Sequence, residues 1–576
     1  MTDFEIVDFV FSQQALTLWT SANTYSENWP VVYTLRNAKE IYIGETLNTK
    51  MRMHQHLASV GKELLTHVMV VKNDKFNKSA CLDLESKLIQ LFAADKNYKV
   101  LNANSGILNA NYFDRDTYSE SFSELFDLLV ERGILSQTVP ELVNSNLFKY
   151  SPFKALTGEQ ATAVAGILNQ ILDAKRASTT ARIVVDGDPG TGKTIVAIYL
   201  MKLIKDIANL HSDFLVDEES IFAEYMTQEN RQILKDFRVG LVIPQQSLRA
   251  TLGRVFNKTP GLTKKMILKP FSVGTSNEKW DLLIVDEAHR LSMRANQAFP
   301  TLNTLYVEIN KKLFGKDDLQ ITQLDWIEAQ SRFQVLLIDP AQSIKPSDLP
   351  RPLIDKLVEA AKSSRSYFKL TSQLRVSAGD DYVEFVQKLL SESPIPNPGF
   401  SNYEIKFFDS FKEMRDAIIL KDSQVGLSRV LAGYAWKWLS KTDPTMPDIE
   451  IEGLKLFWNR ADKDWINSKD SVSEVGSIHT IQGYDLNFAG VVIGKDLGFD
   501  PVTKRIIFRR DNYFDSKGVL NNHMLGIIYS DDDILKWILN IYRVLLTRGI
   551  HGTYIYVHDE ELRKFLKPFI EGNPSL

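Results

Sequence analysis

The eight residues 187–194 have the types and spacing of a loop that binds a polyphosphate. They follow the apolar run 183–185 and precede a long apolar-periodic stretch, so the loop should join a strand to a helix. Glycines let backbone N–H groups turn towards phosphate oxygens, and the helix N-terminus adds a partial positive charge. Lys193 supplies a charge to the β- and γ-phosphates, and Thr194 can hold Mg²⁺. The predicted nucleotide contacts are Gly187, Asp188, Pro189, Gly190, Thr191, Gly192, Lys193 and Thr194.

Two adjacent acids, Asp286 and Glu287, follow a second apolar run at residues 282–285. In a phosphate-transfer site the first acid can bind Mg²⁺ through water, and the second can orient the attacking water. Together with the phosphate loop, this pair predicts hydrolysis of ATP and not only binding. A third apolar run, 335–338, ends in polar residues that include Gln342, which we expect to sense the γ-phosphate.

Other polar and aromatic residues stand where a nucleotide or a nucleic acid could be contacted. Gln160 opens a helix, and its amide offers both a donor and an acceptor to an adenine edge. Residues 245–249 follow the end of a strand, where they could contact a nucleic-acid backbone or cap a helix. Tyr434, Trp436 and Trp458 could stack on bases, but a place in the core is the preferred interpretation.

A second group of reactive side chains lies near the N-terminus. Tyr33 and Tyr42 lie on two runs that alternate apolar and polar residues, a pattern that predicts a β-hairpin. Arg52 and His56 are four residues apart, hence on one face of a helix. Glu85 lies among the leucines of a further helix, and its polar neighbours do not account for a carboxylate near the apolar stripe.

Residues 29–112 resemble the GIY-YIG nuclease family. Residues 31–33 read Val-Val-Tyr where Gly-Ile-Tyr is usual, whereas the second signature, Tyr-Ile-Gly at 42–44, is intact. The resemblance implies that Glu85 is the single metal-binding carboxylate. Glu45 stands where the family frequently has a lysine. The catalytic residues implied by the resemblance are Tyr33, Tyr42, Arg52, His56, Glu85 and Asn102.

Such a set of residues could hydrolyse a phosphodiester. One carboxylate can hold one Mg²⁺, which polarises the scissile phosphate and takes the leaving oxygen. Arg52 can stabilise the charge that develops on the equatorial oxygens, and Tyr42 or His56 can help to deprotonate a water. The alternative is a small α/β domain in which the tyrosines pack the hairpin and Glu85 is a solvated helix residue.

The order of motifs from residue 156 to residue 557 resembles that of superfamily 1 helicases. It is most similar to a prokaryotic group of uncharacterised ATPases whose motor resembles that of Schlafen proteins. The resemblance implies that Arg375 and Arg548 are charge-stabilising arginines that reach the nucleotide from a second domain. Because ATP would then bind both domains, its binding should close them and its hydrolysis release them.

The same resemblance assigns further residues to the motor. Gln342 would couple the two halves, and Gln482 and Gly483 would contact nucleotide or nucleic-acid phosphate. Asp485 stands in place of the glutamate often seen near the ribose.

These residues require a mixed α/β fold. Apolar runs that end in polar residues and alternate with helical patterns predict parallel sheets. We expect a small α/β GIY-YIG domain followed by two RecA-like parallel-sheet P-loop domains with helical insertions. The Pro-, Asn- and Ser-bearing stretch 140–152 is the best boundary. The predicted domains are 1–115, the nuclease-like domain; 116–150, a helical connector; 151–362, the first RecA-like ATPase domain; and 363–576, the second, with the arginines.

Composition limits the class of protein. At 576 residues, with 44% hydrophobic and 24% charged residues, the chain suits a soluble protein of three or four domains. The net charge of −4 means that nucleic-acid binding would need local basic patches. The single cysteine, Cys81, excludes a disulfide framework and a cysteine-rich zinc site. Without an 18-residue apolar run or a basic signal-peptide start, we expect a cytoplasmic protein with no membrane partner.

The leading hypothesis is an ATP-dependent helicase or translocase coupled to a Mg²⁺-dependent endonuclease, with ATP and Mg²⁺ as cofactors. DNA is preferred to RNA only through the resemblance, and a role in prokaryotic DNA repair or defence against phage, with repair or defence proteins as partners, is expected by analogy of fold. Two alternatives stay open. One is an ATP-gated nucleic-acid-binding switch without cleavage, which the degenerate first signature and Glu45 favour; the other is a signalling ATPase that acts on protein.

Overall fold

The computed structural model describes residues 4–22, 27–59, 62, 64–102, 112–210, 221–294, 297, 300–461, 465–481 and 484–572. Contacts between residues divide the chain into two compact units. The first unit comprises Met1–Thr179, Thr194–Phe237 and Leu252–Met266, and the second comprises Thr180–Lys193, Arg238–Thr251 and Ile267–Leu576.

The N-terminal region folds around a five-stranded sheet. Its strands are β1 (Glu5–Val10), β2 (Val31–Arg36), β3 (Glu40–Thr46), β4 (His67–Lys72) and β5 (Lys99–Val100). The order across the sheet is β1-β4-β2-β3-β5, with β5 parallel to β3 and the other neighbours antiparallel. The predicted hairpin is confirmed as β2 and β3, in which Tyr33 pairs with Gly44.

Helices cover this sheet and extend into the predicted connector. Within the described ranges they are α1 (Gln13–Ala22), α2 (Thr49–Ala58), α3 (Lys78–Ala94), α4 (Arg115–Glu131), α5 (Val139–Asn144) and α6 (Asn146–Lys149). Helix α4 begins at Arg115, and a capping box formed by Thr138 and Glu141 opens α5. Phe122 and Leu129 of α4 are buried in the same core as Leu88 of α3, so the connector packs on the N-terminal fold.

The second sheet has six parallel strands and contains the phosphate loop. This part of the chain has α7 (Gly158–Arg176), β6 (Ala181–Gly187), α8 (Lys193–Ala208), α9 (Gln228–Leu234), β7 (Val239–Val242), α10 (Gln246–Lys258), β8 (Ile267–Leu268), α11 (Pro270–Thr275), β9 (Trp280–Val285), α12 (Pro300–Phe314), α13 (Gln323–Gln330), β10 (Ser331–Ile338), α14 (Arg351–Ser363) and β11 (Tyr367–Leu370). The strand order is β11-β6-β10-β9-β7-β8. Because β11 pairs with β6, this sheet continues to Leu370, beyond the boundary expected after residue 362.

The third sheet has five parallel strands in the order β12-β20-β17-β13-β16. The elements are α15 (Asp380–Leu389), β12 (Glu404–Phe407), α16 (Phe411–Val425), β13 (Ser428–Ala432), β14 (Ile449–Ile451), β15 (Leu454–Leu456), β16 (Val475–Gly476), α17 (Ile478–Ile481), β17 (Leu486–Ile493), β18 (Leu497–Asp500), β19 (Arg505–Phe508), α18 (Asp531–Leu546), β20 (Gly549–Val557) and α19 (Glu560–Ile570). Strands β14 and β15 form a small antiparallel pair outside this sheet.

The interiors of both parallel sheets are apolar. Every residue of β17 is buried, as expected for a strand whose two faces are covered. Trp436 and Trp458 are buried in the core of the third sheet, which confirms the core interpretation of these two rings. The fold is therefore mixed α/β with two parallel sheets, as predicted. Among the described helices, none has the length and apolar character needed to cross a bilayer.

Candidate nuclease and nucleotide-binding sites

The hairpin of the N-terminal sheet places Tyr33 across from Gly44. A Cβ at Gly44 would overlap the hydroxyl of Tyr33 and lie 2.5 Å from its Cζ, so only glycine leaves room for the ring. The Tyr33 hydroxyl lies 2.7 Å from His56 Nε2, and Arg52 Nε donates to it at 3.3 Å. The ring of Tyr42 packs edge-on against His56, with centroids 5.2 Å apart. Four of the six residues predicted for a nuclease site thus form one cluster.

Burial shapes the electrostatics of this cluster. Burial raises the pKa of Tyr33 well above its ordinary value, the charges of Tyr42 and Glu85 add to this, and Arg52 opposes it. Burial, with the charges of Lys62 and Arg52, lowers the pKa of His56 to about 2. His56 is therefore neutral at physiological pH, and its two nitrogens can relay a hydrogen bond between neighbours.

Lys62 is a member of the cluster that the sequence did not indicate. Its Nζ lies 2.7 Å from His56 Nδ1 and 3.4 Å from the centroid of the Tyr42 ring. Burial and the charge of Arg52 lower the pKa of Lys62 to about 7. In the sequence Lys62 has no motif or helical spacing that links it to His56, so contact in three dimensions is its only signal.

Glu85 lies on α3, four residues after Cys81. Burial raises the pKa of Cys81, and the charges of Glu45 and Glu85 contribute, which places both carboxylates near that thiol. Glu45 forms an ion pair with Lys78. In the described part of the chain, no three His, Cys, Asp or Glu side chains form a metal site. A single carboxylate nevertheless suits Mg²⁺, which commonly takes one or two carboxylates and completes its shell with water and phosphate.

Asn102 is bound to the backbone of β3, and its catalytic role stays a prediction. Its Oδ1 accepts the backbone N–H of Ile43 at 3.1 Å, and its Nδ2 donates to the carbonyl of Ile43 at 2.8 Å. The side chain is buried. With both ends of its amide bound to β3, Asn102 holds the strand that carries Tyr42 and Gly44.

The phosphate loop lies between β6 and α8, as its sequence predicts. Gly190 and Gly192 have φ of 92° and 81°, a region that favours glycine. Lys193 is buried, and its Nζ donates to the carbonyls of Gly187 at 2.5 Å and Asp188 at 3.0 Å. Backbone N–H groups, a buried ammonium and a helix N-terminus together suit the phosphates of a nucleotide.

The acidic pair follows β9 and is bonded to the loop after β10. Glu287 has a left-handed backbone, with φ 52°, which is strained for a non-glycine residue and directs attention to function. The Nδ1 of His289 accepts the N–H of Asp339 at 3.1 Å, so Nε2 is the nitrogen that carries a ring proton, 3.0 Å from Glu287 Oε2. Burial raises the pKa of Glu287, but the interaction with His289 and the charges of Lys193 and Arg290 outweigh this effect and lower that pKa overall.

Asp339 and Gln342 lie beside the phosphate-loop lysine. Asp339 Oδ2 is 3.8 Å from Lys193 Nζ and accepts Gln342 Nε2 at 2.5 Å. Gln342 Oε1 is buried and has no hydrogen-bond partner among the described residues. The next residue, Ser343, accepts Asn540 Nδ2 of α18 through its carbonyl at 3.0 Å. Gln342 thus stands between the lysine and a segment bonded to the third-sheet region, a place consistent with its predicted coupling role.

Arg375 lies against the phosphate loop, but it does not come from the third sheet. It stands five residues after β11, whose neighbour is β6. A Cβ on Gly190 would lie 2.8 Å from Arg375 Cβ, and the side chain of Arg375 forms an ion pair with Asp485. Arg375 thus lies within the second predicted domain, five residues after a strand of the second sheet, and its contact with the nucleotide stays a prediction.

Arg548 follows α18 and is buried. Its Nε donates to the carbonyl of Val544 at 3.2 Å, and its Nη1 donates to that of Tyr484 at 3.4 Å. Tyr484 precedes Asp485 in the chain, so Arg548 lies one residue from the ionic partner of Arg375. Arg548 is thus held by a carbonyl of its own helix and by that of the residue before Asp485, and its contact with the nucleotide stays a prediction.

Residues 180–559 match the model of the Schlafen group 3 family, described as its DNA/RNA helicase domain. The match covers more than half of the chain. The chain belongs to this family. A curated relative, an uncharacterised protein of Saccharomyces cerevisiae, is 28% identical over 422 residues, which cover 67% of this chain and 84% of the yeast protein.

Solved helicase structures are also similar to this Schlafen group 3 protein. The arterivirus nonstructural protein 10 helicase with DNA is 14% identical, with coverage of 70% of this chain and 67% of that chain and a TM-score of 0.27. The Pif1 helicase of Bacteroides in complex with ADP-AlF3 and single-stranded DNA is 11% identical, with coverage of 67% and 91% and a TM-score of 0.22. Because these TM-scores are low, the family assignment rests on the match of residues 180–559 and not on the solved structures.

Of the remaining residues predicted to contact nucleotide or nucleic acid in this Schlafen group 3 protein, some are bonded to the backbone and others lie outside the described residues. Gln160 Oε1 accepts the N–H of Thr157 at 3.1 Å in a capping box, so that oxygen caps α7. Arg249 Nη1 donates to the carbonyls of Ile243 and Pro244 at 2.6 and 2.7 Å, so its guanidinium is bound to the backbone that follows β7. Gln482 and Gly483 lie outside the described residues.

The sequence analysis did not assign three contacts near the phosphate loop, those of Gln373, His289 and Asp485. Gln373 Nε2 donates to the carbonyl of Pro189 at 2.6 Å. His289 Nε2 lies 3.0 Å from Glu287 Oε2, and Asp485 forms an ion pair with Arg375. His289 belongs to the same short run as the acidic pair, and Gln373 stands two residues before Arg375, so these positions in the sequence could have indicated both residues. No pattern in the sequence indicated that Asp485 pairs with Arg375.

Proposed function

We propose that this protein is an ATP-dependent helicase or translocase on nucleic acid, DNA more than RNA, joined to a Mg²⁺-dependent endonuclease. The motor is supported above all by the cluster of Lys193, Asp339, Gln342 and Glu287 at the carboxyl ends of adjacent parallel strands, where open α/β sheets bind ligands. An ionised Glu287 can orient the attacking water.

In this proposal two sites use Mg²⁺. Thr194 and Asp286 would hold an ion that offsets the negative charge of the nucleotide phosphates, and Glu85 would hold an ion that polarises the scissile phosphate. Water and substrate phosphate would complete both shells. A motor joined to a nuclease suits DNA repair or defence against foreign DNA.

The nuclease is supported by the contacts of Tyr33 with His56 and Arg52 and by the packing of the Tyr42 ring on His56. Arg52 is half-buried, so its guanidinium can turn towards a phosphate. As it turns, the hydroxyl of Tyr33 would become accessible to water for proton transfer.

A second candidate function is an ATP-gated switch that binds nucleic acid without cutting it. Tyr33 has no exposed surface, Asn102 is bound to the backbone, and Glu45 is paired with Lys78. This arrangement resists the approach of water and phosphate to Tyr33. The candidate predicts Mg²⁺-independent binding and no strand scission.

One experiment with two variants tests the proposal. Lys193→Ala should lower the ATPase rate by at least 10²-fold because the phosphates lose their buried cation, while Mg²⁺-dependent cutting of a short duplex persists. Glu85→Ala should abolish that cutting and leave the ATPase intact. ATP hydrolysis is measured with and without single-stranded DNA and RNA, and cutting is followed on end-labelled duplexes.

Exposed residues of the same type serve as matched controls: Lys235→Ala for the first variant and Glu124→Ala for the second. Persistent hydrolysis in the Lys193 variant would exclude the motor assignment. Equal cutting by wild type and the Glu85 variant would exclude the nuclease site. Tight binding with no cutting by wild type would establish the switch, and an ATPase that no nucleic acid stimulates would favour action on protein.

A further inference from the structure

The segment after β11 is fixed against the phosphate loop by its backbone. Leu374 donates its N–H to the carbonyl of Gly190 at 3.0 Å, and Gln373 Nε2 donates to the carbonyl of Pro189 at 2.6 Å. A Cβ at Gly190 would overlap Gln373 Oε1. The backbone of Arg375 therefore has little freedom relative to the loop that would hold the phosphates.

The side chain of Arg375 is only partly satisfied. Its Nε donates to Asp485 Oδ1, and 15% of the side chain is exposed. Its Nη1 is buried and has no hydrogen-bond partner among the described residues. A buried guanidinium N–H without an acceptor is costly, so this arrangement holds one edge of the guanidinium and leaves another ready for an anion.

We propose that Asp485 is a positioning residue for ATP hydrolysis, whose carboxylate holds the guanidinium of Arg375 so that Nη1 meets a phosphate of the nucleotide on the loop. The inference rests on the proposed motor function. It gives Asp485 a partner other than the ribose: Asp485 acts through Arg375.

The chain around Asp485 shows what sets its position. Tyr484 accepts Arg548 Nη1 through its carbonyl at 3.4 Å, and Leu486 donates its N–H to the carbonyl of Arg548 at 3.0 Å. Both neighbours of Asp485 are thus bonded to Arg548, at the start of β20. A shift of the third sheet would move Asp485 and, through the ion pair, the guanidinium of Arg375.

The test is a double-mutant cycle on the full chain. Asp485→Ala should lower the kcat of ATP hydrolysis roughly 10–100-fold, the range typical of groups that orient a catalytic side chain, and change KM for ATP much less. Asp485→Asn, which keeps the shape, should lose most of the same rate, and Asp485→Glu should recover part of it. In an Arg375→Ala background, Asp485→Ala should cause no further loss, because its effect passes through the arginine.

Asp443→Ala is the matched control, since Asp443 is an exposed aspartate that binds Thr445 within its own turn. Thermal unfolding of each variant shows whether the fold is intact, and the isosteric Asn variant preserves the test if the Ala variant is unstable. Independent losses that multiply in the double variant would overturn the inference. So would an Asp485→Ala rate equal to or above that of wild type. A wild-type protein without ATPase activity would instead remove the motor function and this inference with it.

Discussion

One buried histidine lies at each candidate site. At the nucleotide site, His289 accepts a backbone N–H with Nδ1, and its Nε2 lies 3.0 Å from Glu287 Oε2. In the N-terminal domain, His56 lies between the hydroxyl of Tyr33 and the amine of Lys62. Each imidazole thus links two neighbours through its two ring nitrogens.

The pKa of His56 leads to a prediction about acid stability. Burial and nearby cations lower this pKa to about 2, whereas an unfolded histidine has a pKa of about 6.5. Between these values the unfolded chain binds the extra proton, so stability present above about pH 6.5 is lost as the pH falls towards 2. Amide hydrogen exchange in β2 and β3, corrected for its intrinsic pH dependence, should lose protection from pH 7 to pH 5.

His56→Gln should reduce this acid sensitivity, because glutamine can bond Tyr33 and does not titrate. His54→Gln, on the same helix, is the control and should respond to pH as wild type does. If both variants lose protection equally between pH 7 and pH 5, another group causes the acid response.

At the scale of elements, the close approach of β2 and β3 makes Gly44 a sensitive position. In Gly44→Ala the new methyl group would overlap the Tyr33 hydroxyl and displace the ring from His56. We expect a loss of about 1–3 kcal/mol in the unfolding free energy of this region and loss of any Mg²⁺-dependent cutting. Gly158→Ala is the control, because a Cβ there meets nothing within 4 Å. Equal stability of both variants by thermal unfolding and hydrogen exchange would contradict the packing argument.

The elements also show what a sequence can and cannot predict. The strands before Gly187 and Asp286 and the hairpin of Tyr33 and Tyr42 followed from local apolar patterns, and the structure has them. The membership of β11 in the loop's sheet was missed, because strand pairing depends on partners distant in the chain. Lys62, Asn102 and the Asp485 contact of Arg375 were missed or given other roles for the same reason: their partners are set by tertiary packing.

At the scale of the whole molecule, residues 154–157 form a short joint in the chain between the N-terminal fold and α7. Helices α4 to α6 are not a free connector, since Phe122, Leu142 and Phe153 are buried in the core that includes α3. Residues 154–157 alone separate Phe153 from α7, and four residues span at most about 14 Å. The chain between the N-terminal core and α7 is therefore only four residues long.

A flexible insertion at this joint should separate the two proposed activities. With about 20 Gly and Ser residues between Lys154 and Ala155, the ends would lie roughly 25 Å apart on average, so the nuclease would no longer follow the motor closely. We expect the ATPase rate and the cutting of short duplexes to stay within twofold of wild type, while the stimulation by ATP of cutting on plasmid-length DNA is lost. Cutting of both substrates is measured with ATP and without it, and a proline-free insertion of equal length after Asp443, in an exposed turn, is the control. If ATP still stimulates cutting of long DNA in the joint variant, the short connection 154–157 does not couple the two activities.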